Sequence, residues 1–271
     1  MFNYESYLRL DKFPLIWCSG CGDGIVLKSM IRAIDKLGLN KDDVCMVSGI
    51  GCSSRLTGYV DFNTLHTTHG RALTFATGIK MAKPRLHVIV VTGDGDATAI
   101  GGNHYIHAAR RNIDITVILF NNFIYGMTGG QVSPCTPKGK RASTAPYGNF
   151  ENAFNISGLA QAAGASFVAR ATVYNAVQLE KLIQRAIEKK GFSLVEVLSP
   201  CPTAYGRRNR EGTPVDMILQ QKETTVSVAA AEKMTPEELE DKIITGVLTD
   251  VDRPECRAEY QKLIDSLNKE G

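Results

Sequence analysis

Five short apolar runs recur along the chain, at about residues 44–50, 88–92, 115–120, 166–169 and 193–198. Each is too short for a helix and reads as a buried strand. Between them the period changes to that of a helix. Ile25, Leu27, Met30, Ile31, Ile34 and Leu37 recur at helical spacing and stop at Gly38, and Ala72 to Met81 is a helix of small residues ended by Lys83-Pro84. Ile156 to Ala163 is a short helix, and Val177, Leu179, Leu182, Ile183, Ala186 and Ile187 mark a longer one that ends at Gly191. Buried strands alternating with helices predict an α/β fold, a doubly wound and mostly parallel sheet. Met1 to Leu15 reads as an irregular arm closed by Pro14. From Thr203 the chain turns polar. Thr235-Pro236-Glu237-Glu238 is a capping box with proline at the first helical position, and a last helix starts near Pro254. The expected organisation is a domain over residues 1–202 and an extension over 203–271, too poor in apolar residues to fold alone, that wraps a partner or covers the chemistry. There is no internal repeat.

The 271 residues suffice for one large α/β domain with an appendage, and 44% apolar with 22% charged residues is ordinary for a globular protein. A net charge of +3 singles out neither nucleic acid nor membrane. No run approaches the ~18 apolar residues of a membrane span. Met1-Phe2-Asn3-Tyr4-Glu5 lacks the basic start and apolar core of a secretory signal, so a cytoplasmic protein is expected. Seven cysteines in such a chain point to metal or redox use ahead of a disulfide framework.

Chemistry concentrates between Gly93 and Asn122. Val88-Ile89-Val90-Val91-Thr92 leads into Gly93-Asp94-Gly95-Asp96, then an Ala/Gly-rich helix, then Ile115 to Phe120 and the pair Asn121-Asn122. This is a βαβ unit of about minimum length, and it brings an acid and an amide to the carboxyl ends of two parallel strands, where open sheets bind ligands. The glycines admit a bulky anion, a helix N-terminus donates N–H groups to it, and the hard oxygens of Asp94 and Asn122 suit Mg²⁺. A diphosphate held through Mg²⁺ fits this set. A dinucleotide turn fits poorly: Thr98 stands where the third glycine belongs, and Asp114 opens the next strand instead of closing it.

Trp17-Cys18-Ser19-Gly20-Cys21-Gly22-Asp23-Gly24 carries a Cys-x-x-Cys pair, which by itself reads equally as a cluster ligand pair, a redox dithiol or half of a zinc site. Cys52 and Cys201 each lie just beyond a predicted strand. Cys45 falls inside one, as a small core residue. Asp61 to Arg71 is dense in donors, including His66 and His69, either of which also fits a buried histidine bonded to a carbonyl. Val132 to Asn149 is a loop with Lys138, Lys140 and Arg141, and Arg207-Arg208-Asn209-Arg210 opens the polar tail; basic loops of this kind are ordinarily solvated.

The Gly-Asp-Gly turn followed after a helix by Asn-Asn resembles the thiamine diphosphate motif. Gly101-Gly102-Asn103-His104 and Ile124-Tyr125-Gly126-Met127-Thr128-Gly129-Gly130-Gln131 narrow the likeness to the beta subunits of 2-oxoacid:ferredoxin oxidoreductases, most of all the 2-oxoglutarate type. The resemblance runs from Trp17 to about Arg210. It implies a thiamine diphosphate fold with Mg²⁺ held by Asp94, Asn122 and the Ile124 carbonyl. It implies a four-iron, four-sulfur cluster held by Cys18, Cys21, Cys52 and Cys201, leaving Cys135 and Cys256 without a ligand role. Gly51, Ser53, His69, Gly93, Gly95, Asp96, Tyr125, Gly126 and Thr128 are then expected around the cofactor, with Asp96 orienting the turn through hydrogen bonds. Met127 is the expected apolar prop under the thiamine, unless it simply fills a gap in the core. His66 is the first choice for a site histidine. Arg55, otherwise an ordinary surface arginine, would face the distal carboxylate of 2-oxoglutarate, with His69 and Arg71 as other cationic candidates.

The implied reaction is oxidative decarboxylation of a 2-oxoacid, 2-oxoglutarate foremost and pyruvate or another as alternatives. Coenzyme A accepts the acyl group and ferredoxin the electrons. The activating glutamate and the pyrimidine-binding domain are absent from this sequence and are expected on an alpha subunit, in a heterodimer or a dimer of heterodimers. A non-oxidative thiamine lyase subunit with a structural zinc and a purely electron-carrying subunit are the readings from other classes.

Overall fold

The computed structural model describes residues 2–270. Its strands are β1 (Val44–Ser48), β2 (Asn63–His66), β3 (His87–Gly93), β4 (Thr116–Asn121), β5 (Ile124–Tyr125), β6 (Gln131–Val132), β7 (Phe167–Thr172), β8 (Ser193–Leu198), β9 (Thr225–Ser227) and β10 (Ile243–Asp250). The main helices are α1 (Asp23–Lys36), α2 (Ala72–Ala82), α3 (Gly102–Arg110), α4 (Ile156–Ala163) and α5 (Ala176–Glu188). Eight strands form one sheet in the order β2-β1-β3-β4-β8-β7-β10-β9, and β5 with β6 forms a small hairpin. The first six strands of that order run parallel; β10 pairs antiparallel with β7.

The unbroken apolar runs follow from burial on both faces. Ile89, Val91, Ile118, Phe120, Val195 and Val197 face one layer, packed with α1 and α5. Their neighbours Val88, Val90, Val117, Leu119 and Leu194 face the other, with α2, α3 and α4. Strand periodicity of two divides each run between the two cores. The register aligns Ser48 with Val91, Gly93 with Phe120, and Asn121 with Leu198. The segments 49–52, 94–96, 122–128 and 199–201 therefore leave the same edge of the sheet.

Three features differ from the sequence expectations. Asn63–His66, read as part of a loop, is an edge strand; its exposed Asn63 and His66 give it no apolar run. The helix after Gly95 is broken: a wide turn over Asp96–Ile100 gives way to α3 at Gly102. The polar tail enters the sheet through β10, so the packing is continuous across residues 202 and 203. β10 is only partly buried, which explains why its apolar signal is diluted by Thr and Gly.

Glu196 ties the central strands together. It is buried in β8, accepts from Asn121 Nδ2 (2.9 Å) and Arg170 Nε (2.9 Å), and also receives the Ser157 hydroxyl from α4. Arg170 extends the network to the Ile244 carbonyl of β10 and to Asn155, the cap of α4. Removing one partner of such a pair strands the other charge. Arg170→Met should therefore lower stability by about 3–5 kcal/mol. In urea unfolding, Arg170→Met/Glu196→Met should lose less than the sum of the single losses by about 1 kcal/mol or more. Strict additivity would show the pair to be uncoupled.

Candidate active site

Asp96 fastens the loops that surround the sheet edge. Its Oδ1 accepts from the backbone N–H of Ile50 (3.2 Å) and Gly70 (2.7 Å), and it pairs with His69 Nδ1. Its Oδ2 accepts from Thr92 Oγ1 at 2.7 Å. Gly49 has to be glycine here, because a Cβ would collide with the Asp96 carboxylate.

These loops frame an open cleft. Its wall is made by Ile50, Gly51, Cys52, Ser53, His69, Gly93, Asp94, Gly95, Asp96, Phe120, Asn122 and the run from Ile124 through Tyr125, Gly126 and Met127 to Thr128. Asp94 is 3% exposed, and burial pushes its carboxyl up to about 7. The Ser133 hydroxyl donates to its Oδ2, and no cationic side chain pairs with it among the described residues. Asn122 Oδ1 accepts from the Ile124 N–H at 3.2 Å. Between them Phe123 holds a φ of +63°, an uncommon conformation for a bulky residue, with its carbonyl tied to Thr136 Oγ1 at 2.6 Å. Ser53 Oγ, buried and lining the cleft, has no protein partner among the described residues. A carboxylate without a cation and an unpartnered hydroxyl in one cleft fit a divalent cation with an anionic ligand.

Beside the cleft, three chain segments bring cysteines together. Trp17 Nε1 donates to the Cys52 carbonyl (2.7 Å), and Gly22 N–H to the Pro200 carbonyl (3.2 Å). The Ser199 hydroxyl donates to Asp23 Oδ1 at 2.7 Å. A Cβ on Gly126 would stand 3.3 Å from Cys52 Sγ and 3.6 Å from Cys201 Sγ, so both sulfurs lie beside this glycine. Burial pushes the Cys52 thiol up to about 12 and raises those of Cys21 and Cys201. Backbone N–H groups work the other way: that of Met127 points at Cys52, and those of Ala204 and Tyr205 at Cys201. Donors aimed at sulfur favour thiolate and so fit a cationic metal centre. Cys45 lies in β1, and Cys135 is buried between Asp94 and α4 with its thiol on the Phe154 carbonyl.

Two expected site residues lie elsewhere in this chain. His66 is exposed at the end of β2 and outside the cleft; the chain turns after it through buried Thr67, and His69 is the histidine that reaches the cleft. Arg55 is exposed on the short helix Ser53–Gly58, also outside the cleft, and makes no ion pair among the described residues. Conversely, Asp23, Ser133 and Ser199 were not singled out by sequence. Asp23 is fully buried with Oδ2 unpartnered, and burial pushes it up to about 6. In sequence it reads as an ordinary first-turn helix acid, and an isolated serine carries no signal at all.

Residues 49–197 match the model of the C-terminal binding domain of thiamine pyrophosphate enzymes. The chain is 54% identical to 2-oxoglutarate synthase subunit KorB of Methanocaldococcus jannaschii, over 97% of this chain and 98% of that one. It is also 54% identical to the KorB subunit of Methanothermobacter marburgensis, over 93% and 88%. Among solved structures, a 2-oxoglutarate:ferredoxin oxidoreductase from Magnetococcus marinus with 2-oxoglutarate, coenzyme A and succinyl-CoA bound superimposes with a TM-score of 0.88 at 34% identity, covering 98% of this chain and 91% of that one. Fold, cleft and relatives agree that this chain belongs to the thiamine pyrophosphate enzymes and, within them, to the beta subunits of 2-oxoglutarate:ferredoxin oxidoreductases.

Proposed function

We propose that this chain supplies the thiamine diphosphate and iron–sulfur half of a cytoplasmic enzyme that oxidatively decarboxylates 2-oxoglutarate to succinyl-CoA and delivers the electrons to ferredoxin. The observation that carries the reading is the position of Cys52, which lines the cleft and also stands with Cys201 around Gly126. A cofactor in the cleft and a cluster on the thiols would share one wall. Bound thiamine diphosphate supplies the electron sink for decarboxylation, coenzyme A takes the acyl group, and a four-iron cluster accepts the electrons one at a time.

The chain's own residues have distinct tasks in this reading. Asp94, Asn122 and the Ile124 carbonyl would offer hard oxygens to Mg²⁺, whose charge would hold the diphosphate. Gly93, Gly95 and Ser53 line the approach of that anion, and Tyr125 closes its side by donating to the Gly95 carbonyl at 3.1 Å. Gly51, His69 and Thr128 complete the wall, and Met127, 45% exposed at the cleft, offers the apolar face under the cofactor rings. Cys18, Cys21, Cys52 and Cys201 hold the cluster. The alpha subunit provides the pyrimidine-binding domain and its activating glutamate. Tyr147 at 98% and Phe150 at 82% exposure are the kind of side chains a subunit interface covers.

Three expectations test this. Cys201→Ala should remove most bound iron and the brown colour, whereas Cys45→Ala should keep both; full iron in Cys201→Ala would strike it from the ligand set.

Asp94→Asn should abolish Mg²⁺-dependent thiamine diphosphate binding in calorimetric titration. It should also raise the melting temperature of the cofactor-free chain at pH 8. The sign follows from a carboxyl held at about 7 in the fold against its ordinary 3.8. Ionisation then opposes folding, by an amount that grows as pH rises from 3.8 to 7 and is constant above. Unchanged cofactor binding in this variant would sink the assignment.

Arg55 can meet substrate only where the partner subunit covers its exposed face. In the reconstituted complex Arg55→Ile should lower kcat/KM for 2-oxoglutarate by about two to four decades, and much less for pyruvate, whose methyl end has no charge to satisfy. Equal losses for both would move 2-oxoglutarate selection to another residue.

A further inference from the structure

The turn Ser133-Pro134-Cys135-Thr136 is bonded to both loops that carry the oxygens of the proposed Mg²⁺ site. Serine at its first position and proline at its second favour a tight turn, and the Thr136 N–H closes it on the Ser133 carbonyl at 3.0 Å. Ser133 and Thr136 are both buried. Each hydroxyl has one proton to give, and the turn decides where it goes. Ser133 Oγ accepts from the Cys135 N–H (3.3 Å), so its proton is free for Asp94 Oδ2, at 2.5 Å. Thr136 Oγ1 accepts from the Ser133 N–H (2.9 Å) and donates to the Phe123 carbonyl at 2.6 Å. Asp94 follows β3, and Phe123 follows β4, between Asn122 and Ile124. Asn149 Nδ2 anchors the turn in its own loop by donating to the Thr136 carbonyl at 2.8 Å.

We propose that this turn is a positioning device: it sets the separation of Asp94 from Asn122 and the Ile124 carbonyl, and so fits the site to Mg²⁺ in preference to a larger divalent cation. The inference rests on the reading above that these three groups hold Mg²⁺. β3 and β4 are neighbours in the sheet, but the loops beyond them have left its ladder and need another restraint. One buried turn spans them, with a hydroxyl proton on each side. With Oδ2 tied to Ser133, the Asp94 carboxyl is not free to rotate. The Phe123 carbonyl is tied while its φ stands at +63°, a conformation that a bulky residue keeps only where its surroundings enforce it. That conformation sets how Asn122 and Ile124 are presented on either side of it. Mg²⁺ demands near-octahedral oxygens at about 2.0–2.1 Å, whereas Ca²⁺ accepts about 2.3–2.6 Å and irregular geometry, so a rigid frame matters more to the smaller ion. A turn that only stapled its own loop would affect stability and leave the choice between cations untouched.

The test uses the complex reconstituted with its partner subunit and depleted of divalent cations. Thiamine diphosphate binding is followed by calorimetry at increasing Mg²⁺ or Ca²⁺. Ser133→Ala and Thr136→Val should each raise the Mg²⁺ concentration that supports half-maximal binding about ten- to a hundredfold, the loss expected when a group that orients a metal ligand is removed. The Ca²⁺ concentration should rise by less than about threefold, because looser oxygens still suit the larger ion. Thr136→Ser, which keeps the hydroxyl, should retain the wild-type preference. Damage to the fold, or lost charge on Asp94, would weaken both cations alike; only a changed separation of the ligands divides them. Equal weakening of both cations, or no change in either, would overturn the proposal, and so would a Thr136→Ser complex that behaves like Thr136→Val. A wild-type complex that binds thiamine diphosphate without any divalent cation would instead overturn the functional reading on which the proposal stands.

Discussion

The geometry of the site hangs on one buried carboxylate. Asp96 receives hydrogen bonds from the loop after β1, from the turn before α2 and from β3, and it faces His69. Three stretches of chain distant in sequence are thus held to one side chain. The Gly70 N–H it accepts is a backbone donor that would otherwise be buried without a partner at a loop, where no ladder can satisfy it. A carboxylate offers about four acceptor sites and so can hold several loops where an amide would hold fewer. The absence of a side chain at Gly49 is the steric counterpart of the same arrangement. Without this clamp the walls of the cleft would be independent loops, and the precision needed to position a cofactor would have to come from the cofactor.

The sequence made the scaffold legible because burial on both faces leaves a simple record. Strands β1, β3, β4 and β8 are largely apolar runs, with Glu196 the one charged residue inside β8, and the residues immediately beyond them are the ones that line the cleft or bear a thiol. The edge strand β2 and the partly buried β10 left a weaker record, since residues facing solvent are free to be Asn, His, Thr or Gly. Residues of the cleft were legible where chemistry demands an unusual residue type or spacing, as for Asp94 and Asn122. They were not legible where a common residue acts through its burial. Asp23 and Ser199 meet across 176 residues, and Ser133 meets Asp94 across 39. His66 illustrates the limit from the other side. Two histidines three positions apart on a turning loop face different ways, and the bond between His69 and Asp96 decides which enters the cleft.

Buried acids at the carboxyl edge of the sheet sort into two groups. Glu196 has Arg170, and Asp96 accepts from two backbone N–H groups and the Thr92 hydroxyl and faces His69, so both carboxylates are satisfied inside the protein. Asp94, with the Ser133 hydroxyl and nearby backbone N–H groups, and Asp23, with the Ser199 hydroxyl and the Cys21 thiol, have no cation among the described residues, and burial drives both carboxyls toward neutrality. The matched acids build structure, and the unmatched ones lie beside the two proposed metal centres. A buried carboxylate without a partner costs stability unless it is protonated or meets a cation. Burial likewise keeps the thiols of Cys21, Cys52 and Cys201 neutral, and a metal at the proposed cluster site would make their deprotonated form favourable. The fold therefore holds these groups in a state that suits them poorly without cations. Cations bound at the two proposed centres would meet these same side chains, and the two centres would share a wall, because Cys52 and Gly126 line the cleft while Gly126 lies beside the sulfurs of Cys52 and Cys201.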